Sequence, residues 1–194
     1  MSLRVIAGSA KGCRLKRVPG NSTRPIMDRV KEALFSIIGR EVIGATFLDL
    51  YAGTGSVSIE ALSRGAAQAV LVERDRFAIQ TIKANLASTK LGDNAIVRRA
   101  DVFAFLKRQP DQIYDYIYIA PPQYKDLWIN TLKALDTNPA WVSDTTQIIV
   151  QIDPKERSQP IIFDHLEEID QRQYGKTQLV FFTHKSPAAQ EETQ

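Results

Sequence analysis

The chain has 194 residues, 44% of them hydrophobic and 24% charged, with one cysteine and a formal charge of +3. That is enough for one well-buried α/β core but not for two full domains, and it excludes an intramolecular disulfide. No apolar run approaches a membrane span, the start Met1-Ser2-Leu3-Arg4 lacks a secretory stretch, and neither end carries a lipidation pattern, so a cytoplasmic protein with no membrane contact is expected.

Residues 1–40 hold nine Lys/Arg against Asp28 and Glu32, a local net of +7, while the remainder sums to −4. A concentrated positive segment attracts phosphates, and composition leaves two readings open: a nucleic-acid contact and a solvated basic arm. Arg4-Val5-Ile6-Ala7 and Arg14-Leu15-Lys16 predict two short strands around Gly8-Ser9-Ala10-Lys11-Gly12, a basic hairpin. Beyond Pro19-Gly20-Asn21-Ser22, the stretch Thr23 to Asp28 leads into a helix that ends at Gly39. Its Val30, Ala33, Leu34, Ile37 and Ile38 form a core-facing stripe, leaving Arg24, Arg29 and Lys31 exposed as binding candidates.

Thr46 to Tyr51 predicts a buried strand and Ser56 to Arg64 a helix closed by Gly65, so Gly53 and Gly55 sit at a strand-to-helix turn. Glycines there let a ligand approach the backbone, and free N–H groups at the helix start favour electron-rich atoms. The third glycine of a dinucleotide fingerprint is replaced by Ser58 and no Lys-Ser/Thr pair follows, which weakens NAD and ATP readings. A strand over Ala69 to Glu73 ends in a carboxylate suited to both hydroxyls of a ribose, so an adenosine fits; an ordinary tight turn is the alternative for the glycines alone.

Further helices are expected over Asp75 to Ser88, with Ile79, Ile82 and Leu86 on one side, Val102 to Arg108 and Asp126 to Leu135. Strands are expected over Ala95 to Ala100, Tyr114 to Ala120 and Gln147 to Ile152, and Leu166 to Tyr174 and Thr177 to Thr183 read as a hairpin around Gly175-Lys176. Ser186 to Gln194 is polar and aperiodic, a disordered tail by composition. Alternating strands and helices predict a parallel sheet covered by helices, in which the Asp49 loop, Glu73, Asp101 and the Ala120-Pro121-Pro122 turn converge on one edge. Asp101 suits an adenine amino group or the N-cap of the following helix, and the two roles are compatible.

Ala120-Pro121-Pro122-Gln123-Tyr124 follows an apolar strand. Prolines lack N–H groups and stiffen the turn, so bare carbonyls can meet an exocyclic amino group while Tyr124 stacks on a base; a simple loop with a core tyrosine is the alternative. His165, His184 and Cys13 lack metal-ligand spacing, so no metal is expected. Trp128, Trp141 and Cys13 read as packing residues.

Several blocks together carry a family resemblance: Arg4-Val5-Ile6-Ala7-Gly8 with Lys11-Gly12, Thr23-Arg24-Pro25 through Asp28 to Phe35, Leu48 to Ser56, Ile59 to Ala66, Val72-Glu73-Arg74-Asp75, and Tyr174-Gly175-Lys176-Thr177. The chain resembles S-adenosyl-L-methionine-dependent methyltransferases of the Rossmann-like class, and within them the bacterial RsmD family of 16S ribosomal RNA guanine-N2 methyltransferases. The resemblance implies an α/β Rossmann-like methyltransferase sheet with helices on both faces, a C-terminal antiparallel hairpin and an N-terminal basic β-hairpin plus helix. It divides the chain into an RNA-contacting part over 1–40, a methyltransferase domain over 41–185 and a tail over 186–194.

The implied reaction is methyl transfer to the N2 amino group of one guanine, releasing S-adenosylhomocysteine. The implied partner is 16S rRNA or a small-subunit assembly intermediate, bound by a monomer through Arg4, Lys11, Arg14, Arg17, Arg24 and Arg29. The implied cofactor set is Asp49, Tyr51, Ala52, Gly53, Thr54, Gly55, Glu73, Arg74, Asp101 and Val102. Within it Asp49, Gly53 and Gly55 serve the amino-acid part, Glu73 the ribose, and Asp101 with Val102 the adenine. The catalytic turn is Ala120, Pro121, Pro122, Gln123 and Tyr124. Here the sequence departs from the family, because Ala120 stands where Asp or Asn usually precedes Pro-Pro and Gln123 intervenes before Tyr124. The Pro121 carbonyl and the Gln123 amide remain as acceptors. Losing one charge-assisted hydrogen bond costs about 1.5 to 3 kcal/mol, or roughly one to two decades in rate. A catalytically silent RNA-binding assembly factor is therefore the rival reading, and an amino methyltransferase acting on DNA or a protein glutamine is a third.

Overall fold

Ala69 to Val72 is an unbroken apolar run, the signature of a strand buried on both faces, and it lies at the middle of three parallel strands. The structure is a computed structural model that describes residues 3–20, 26–157 and 161–185. The expected Arg24 contact and the polar tail over 186–194 lie outside the described residues. The chain divides into two compact units, Met1–Val102 and Phe103–Gln194.

The first unit holds α1 (Asp28–Ile38), β1 (Thr46–Asp49), α2 (Ser56–Ser63), β2 (Gln68–Glu73), α3 (Arg76–Thr89) and β3 (Ala95–Arg99). Its strands lie in the order β3-β2-β1, with Asp49 opposite Leu71 and Glu73 opposite Arg99. Asp75 caps α3 by accepting the Ala78 N–H at 2.8 Å. At the division lies α4 (Val102–Leu106). The second unit holds β4 (Tyr116–Ile119), α5 (Leu127–Thr137), β5 (Gln147–Ile152), β6 (Leu166–Tyr174) and β7 (Thr177–His184). There β4 and β5 are parallel, while β5–β7 and β6–β7 are antiparallel. Trp128 and Trp141 are buried as expected, Trp141 stacking with Tyr114 and donating to the Leu106 carbonyl. Among the described residues, no helix is long and apolar enough to cross a membrane.

The N-terminal hairpin is shorter than expected and Lys31 is not exposed, both for one reason. The N-terminal strands are reduced to a single antiparallel bridge, Arg4 to Arg14, flanked by hydrogen bonds between Val5 and Cys13 and between Leu15 and Leu3. The ladder stops because α2 takes over its donors. Ile6 N–H and Ala7 N–H bond to the Glu60 carboxylate at 2.8 and 3.0 Å, and Ala10 N–H bonds to Ser63 Oγ at 2.9 Å. Lys31 is not an exposed binding residue. It is fully buried, its Nζ donating to the Arg4 carbonyl at 2.6 Å and lying 3.4 Å from Glu60. Helix α1 is thereby rotated so that Val30, Lys31, Leu34, Phe35 and Ile38 face inward while Ile37 is exposed. Phe35 stacks on Phe47 and lies beneath the Arg64 guanidinium.

Gly8 shows how closely the arm is seated. Its φ is +84°, and a Cβ there would stand 1.7 Å from the Ser63 carbonyl oxygen. Gly12 has φ +85° but faces open space. Gly8→Ala is expected to destabilise the fold by about 3 kcal/mol or more through backbone strain plus overpacking. Gly12→Ala carries only the strain, about 1 kcal/mol. Urea denaturation of the two variants measures the difference, and equal losses would contradict the seating.

Candidate cofactor site and basic surface

Where β1 ends, Asp49 begins a turn whose shape is held by β2. Ala52 N–H donates to the Val72 carbonyl at 3.1 Å, and Gly55 N–H closes the turn onto Ala52 at 2.7 Å. Gly53 and Gly55 have φ of +54° and +74°, a region open to glycine at little cost. Gly55 has a second constraint: a Cβ there would meet Leu71, Ile82 and Ile59 side chains at 3.2 to 3.5 Å. Its missing side chain therefore permits close packing of the turn on β2 and α3. The next helix, α2, begins directly at Ser56.

Glu73, at the end of β2, works on the same turn. Its carboxylate accepts Gly53 N–H at 2.9 Å, Arg74 N–H at 2.8 Å and Asp75 N–H at 2.9 Å. A carboxylate has about four acceptor sites, so three amides leave capacity for one more donor such as a ribose hydroxyl. Tyr51 and Gly53 are half-buried, whereas Ala52 and Thr54 are buried; Asp101 is exposed and Val102 buried just beyond β3.

Asp49 is buried, and Ser58 Oγ donates to its Oδ2 at 2.8 Å while Oδ1 has no hydrogen-bond partner. Burial pushes this carboxyl from 3.8 to about 7, against the lowering effect of the Ser58 hydroxyl and the Tyr51 amide and with the neighbouring Glu73 charge adding to the rise. A buried carboxyl at the start of a glycine turn, with a spare acceptor on Glu73, fits a ligand carrying a cationic centre and a ribose.

The basic surface is built on the same unit. Leu3, Val5, Ala10, Leu15 and Val18 are buried, while Arg4, Lys11, Arg14, Arg17 and Arg29 are exposed. Arg4 pairs with Asp28 at 3.1 Å. The buried Asn85 of α3 ties this arm to the turn: its Oδ1 accepts Lys16 N–H at 2.7 Å, and its Nδ2 donates to the carbonyls of Lys16 at 3.1 Å and Thr54 at 2.9 Å. Sequence reasoning missed Glu60, Ser63 and Asn85. Their signal was a polar residue at a core-facing helical position, which periodicity alone does not assign a partner.

In the second unit, Ala120 follows β4 directly, with Ala120, Pro121 and Gln123 half-buried and Pro122 exposed. Tyr124 is 65% exposed, not a core residue, and has a φ of +59°. Asp153 and Glu156 contact it from the turn after β5, and their Asp-x-x-Glu spacing was a readable capping-box signal. Among the described residues, no group of three His, Cys, Asp or Glu is arranged to hold a metal ion.

The raised Asp49 value has a signed consequence for stability. A carboxyl held above its unfolded value contributes stability that is complete below about 3.8 and is lost as the pH rises to about 7. Asp49→Asn stays neutral throughout. Unfolding free energies across that window should therefore shift in favour of the variant as pH rises, and a constant difference would exclude a proton on Asp49.

The family described as Conserved hypothetical protein 95 matches residues 3–183. Bacillus subtilis YlbH is 46% identical over 139 residues, covering 70% of this chain and 72% of that protein. The Ribosomal RNA small subunit methyltransferase D of Escherichia coli is 36% identical over 149 residues, covering 77% and 74%. Among solved structures, Escherichia coli yhhF superposes with a TM-score of 0.82 at 30% identity, covering 95% of this chain and 99% of that one. The Thermus protein TTHA0928 gives 0.76 at 31%, covering 92% and 97%. With an α/β Rossmann-like methyltransferase fold and a match over nearly its whole length, the chain belongs to the Conserved hypothetical protein 95 family, the RsmD-type ribosomal RNA methyltransferases.

Proposed function

We propose that this protein is an S-adenosyl-L-methionine-dependent methyltransferase that modifies the N2 amino group of a guanine in 16S ribosomal RNA. The observation that carries this reading is the Glu73-clamped glycine turn in a chain related over most of its length to a small-subunit RNA methyltransferase. S-adenosyl-L-methionine supplies an activated methyl group and a neutral thioether leaving group. Asp49, Tyr51, Ala52, Gly53, Thr54 and Gly55 hold its amino-acid end, Glu73 and Arg74 the ribose, and Asp101 with Val102 the adenine.

Because the sulfonium is already activated, the protein's task is alignment more than acid–base chemistry. The exposed Arg4, Lys11, Arg14, Arg17 and Arg29, with Arg24, engage RNA phosphates through a sequence-independent attraction. At the acceptor turn, Ala120 supplies no carboxylate. The Pro121 carbonyl and the Gln123 amide oxygen are the acceptors for the guanine amino hydrogens, and Pro122 and Tyr124 fix the plane of the base. The Ala120 departure also supports a second reading, an RNA-binding assembly factor that holds the cofactor without transferring methyl.

Quantifying N2-methylguanine in small-subunit RNA from a strain lacking the protein, restored with wild type, Glu73→Ala or Ala120→Asp, separates these readings. Wild type is expected to restore the modification, and Glu73→Ala to abolish it by removing both the turn clamp and the ribose acceptor. Ala120→Asp should raise transfer about tenfold or more in single-turnover assays. An unchanged methyl content between deletion and wild type rejects the enzymatic reading. Methylation only with Ala120→Asp makes the natural chain a silent relative.

A further inference from the structure

Tyr124 combines three properties seldom found together. The residue is 65% exposed, its backbone sits at φ +59°, and both its N–H and its hydroxyl are tied down. The N–H donates to Glu156 Oε2 at 2.8 Å, and the phenolic OH donates to Asp153 Oδ2 at 3.0 Å. Left-handed backbone is costly for a bulky side chain, and it persists only where its surroundings overdetermine it. Here the surroundings are two carboxylates that are themselves fixed.

Asp153 Oδ1 accepts Lys155 N–H at 3.0 Å, and Asp153 N–H donates to Glu156 Oε1 at 3.1 Å. These reciprocal bonds form a capping box on the short turn Pro154–Glu156. The turn follows β5, whose Val150 is the register partner of Ile119 at the end of β4, so the tyrosine and its two anchors leave neighbouring strands on the same side. Asp153 is only 6% exposed although it contacts so exposed a residue. The Lys155 amide lowers its pKa against the cost of burial, and the Tyr124 hydroxyl helps, so it stays an acceptor.

An exposed aromatic ring ordinarily samples several rotamers, and ordering it on contact costs free energy that subtracts from binding. A ring held at both ends has lost that freedom beforehand. We propose that Asp153 and Glu156 are positioning residues for methyl transfer, holding Tyr124 as a preset stacking surface for the acceptor purine. The proposal rests on the function given above and adds two residues to it. Neither carboxylate touches the reacting atoms. Both act through the tyrosine, which compensates in geometry for the acid missing at Ala120.

The test uses the full chain, S-adenosyl-L-methionine and small ribosomal subunits from a strain lacking the protein. Asp153→Asn keeps a competent cap, so it leaves the turn folded. Tyr124→Phe keeps the ring and removes only the phenolic tie. Each is expected to lower kcat/KM for the subunit about tenfold, with KM for the methyl donor unchanged. The double variant should be no worse than the poorer single one, because both changes act on the same Tyr124–Asp153 contact. Glu156→Ala should show the same selectivity for the acceptor, and Tyr124→Leu a larger loss. Wild-type efficiency in Asp153→Asn and Glu156→Ala, or losses that multiply in the double variant, overturns the positioning role while leaving the methyltransferase reading intact. A wild-type chain that transfers no methyl to these subunits overturns the function and the proposal together.

Discussion

A carboxylate buried on α2 organises the first unit. Glu60 is fully inaccessible, and an ion in that position is tolerable only where donors replace its hydration. Ile6 and Ala7 supply two amides, Arg64 approaches at 2.8 Å and Lys31 at 3.4 Å. Lys31 is buried as well, and its desolvation lowers its pKa despite the attraction of Glu60. Lifting the arm from α2 takes two amides from Glu60 and the Arg4 carbonyl from Lys31. The basic segment is thus part of the folded unit, at a fixed reach from Gly55, where α2 begins. Asn85 adds a second strut between Lys16 and Thr54, so the cationic surface and the glycine turn share one rigid support.

The same device recurs at three other places among the described residues where the chain leaves regular structure. Irregular backbone has N–H groups without ladder partners, and each must find an acceptor if it is shielded from water. Glu73 gathers three such amides at the turn. Asp136 gathers those of Asp164, His165 and Leu166 ahead of β6. Asp153 and Glu156 hold the loop at Tyr124. An acidic residue at these positions is a fastener before it is anything else. For its proposed ribose role Glu73 has only the acceptor capacity that these three amides leave over.

What was legible in the sequence follows from which forces are local. The seven strands and the helices over Asp28–Ile38, Ser56–Ser63 and Arg76–Thr89 come from short-range periodicity and caps, and they lie within a few residues of expectation. The glycine turn was visible because positive φ limits the choice of residue. That Gly55 makes room for Leu71 and Ile82, residues far along the chain, was not. The N-terminal ladder failed because Glu60 and Ser63, more than fifty residues away, compete for its amides. Lys31 was misplaced for the same reason: a lysine beside an apolar stripe reads as exposed until its buried partner is known.

The relative sizes of two effects bear on the acceptor turn. A single charged acceptor on the amino group is worth about 1.5 to 3 kcal/mol, whereas holding two reactants in an attack geometry can supply roughly 7 to 11 kcal/mol. With a leaving group as good as a thioether, the larger contribution carries more of the rate. If the turn receives the acceptor base as proposed, a chain with Ala120 there loses the smaller of the two, provided that the base is still held firmly. In the proposed reaction that holding falls to Tyr124, whose unfavourable backbone is tied by Asp153 and Glu156, neither of them in the turn itself. On the proposed function, the capacity for methyl transfer would then depend less on the residue before the prolines than on the capping box of Asp153 and Glu156.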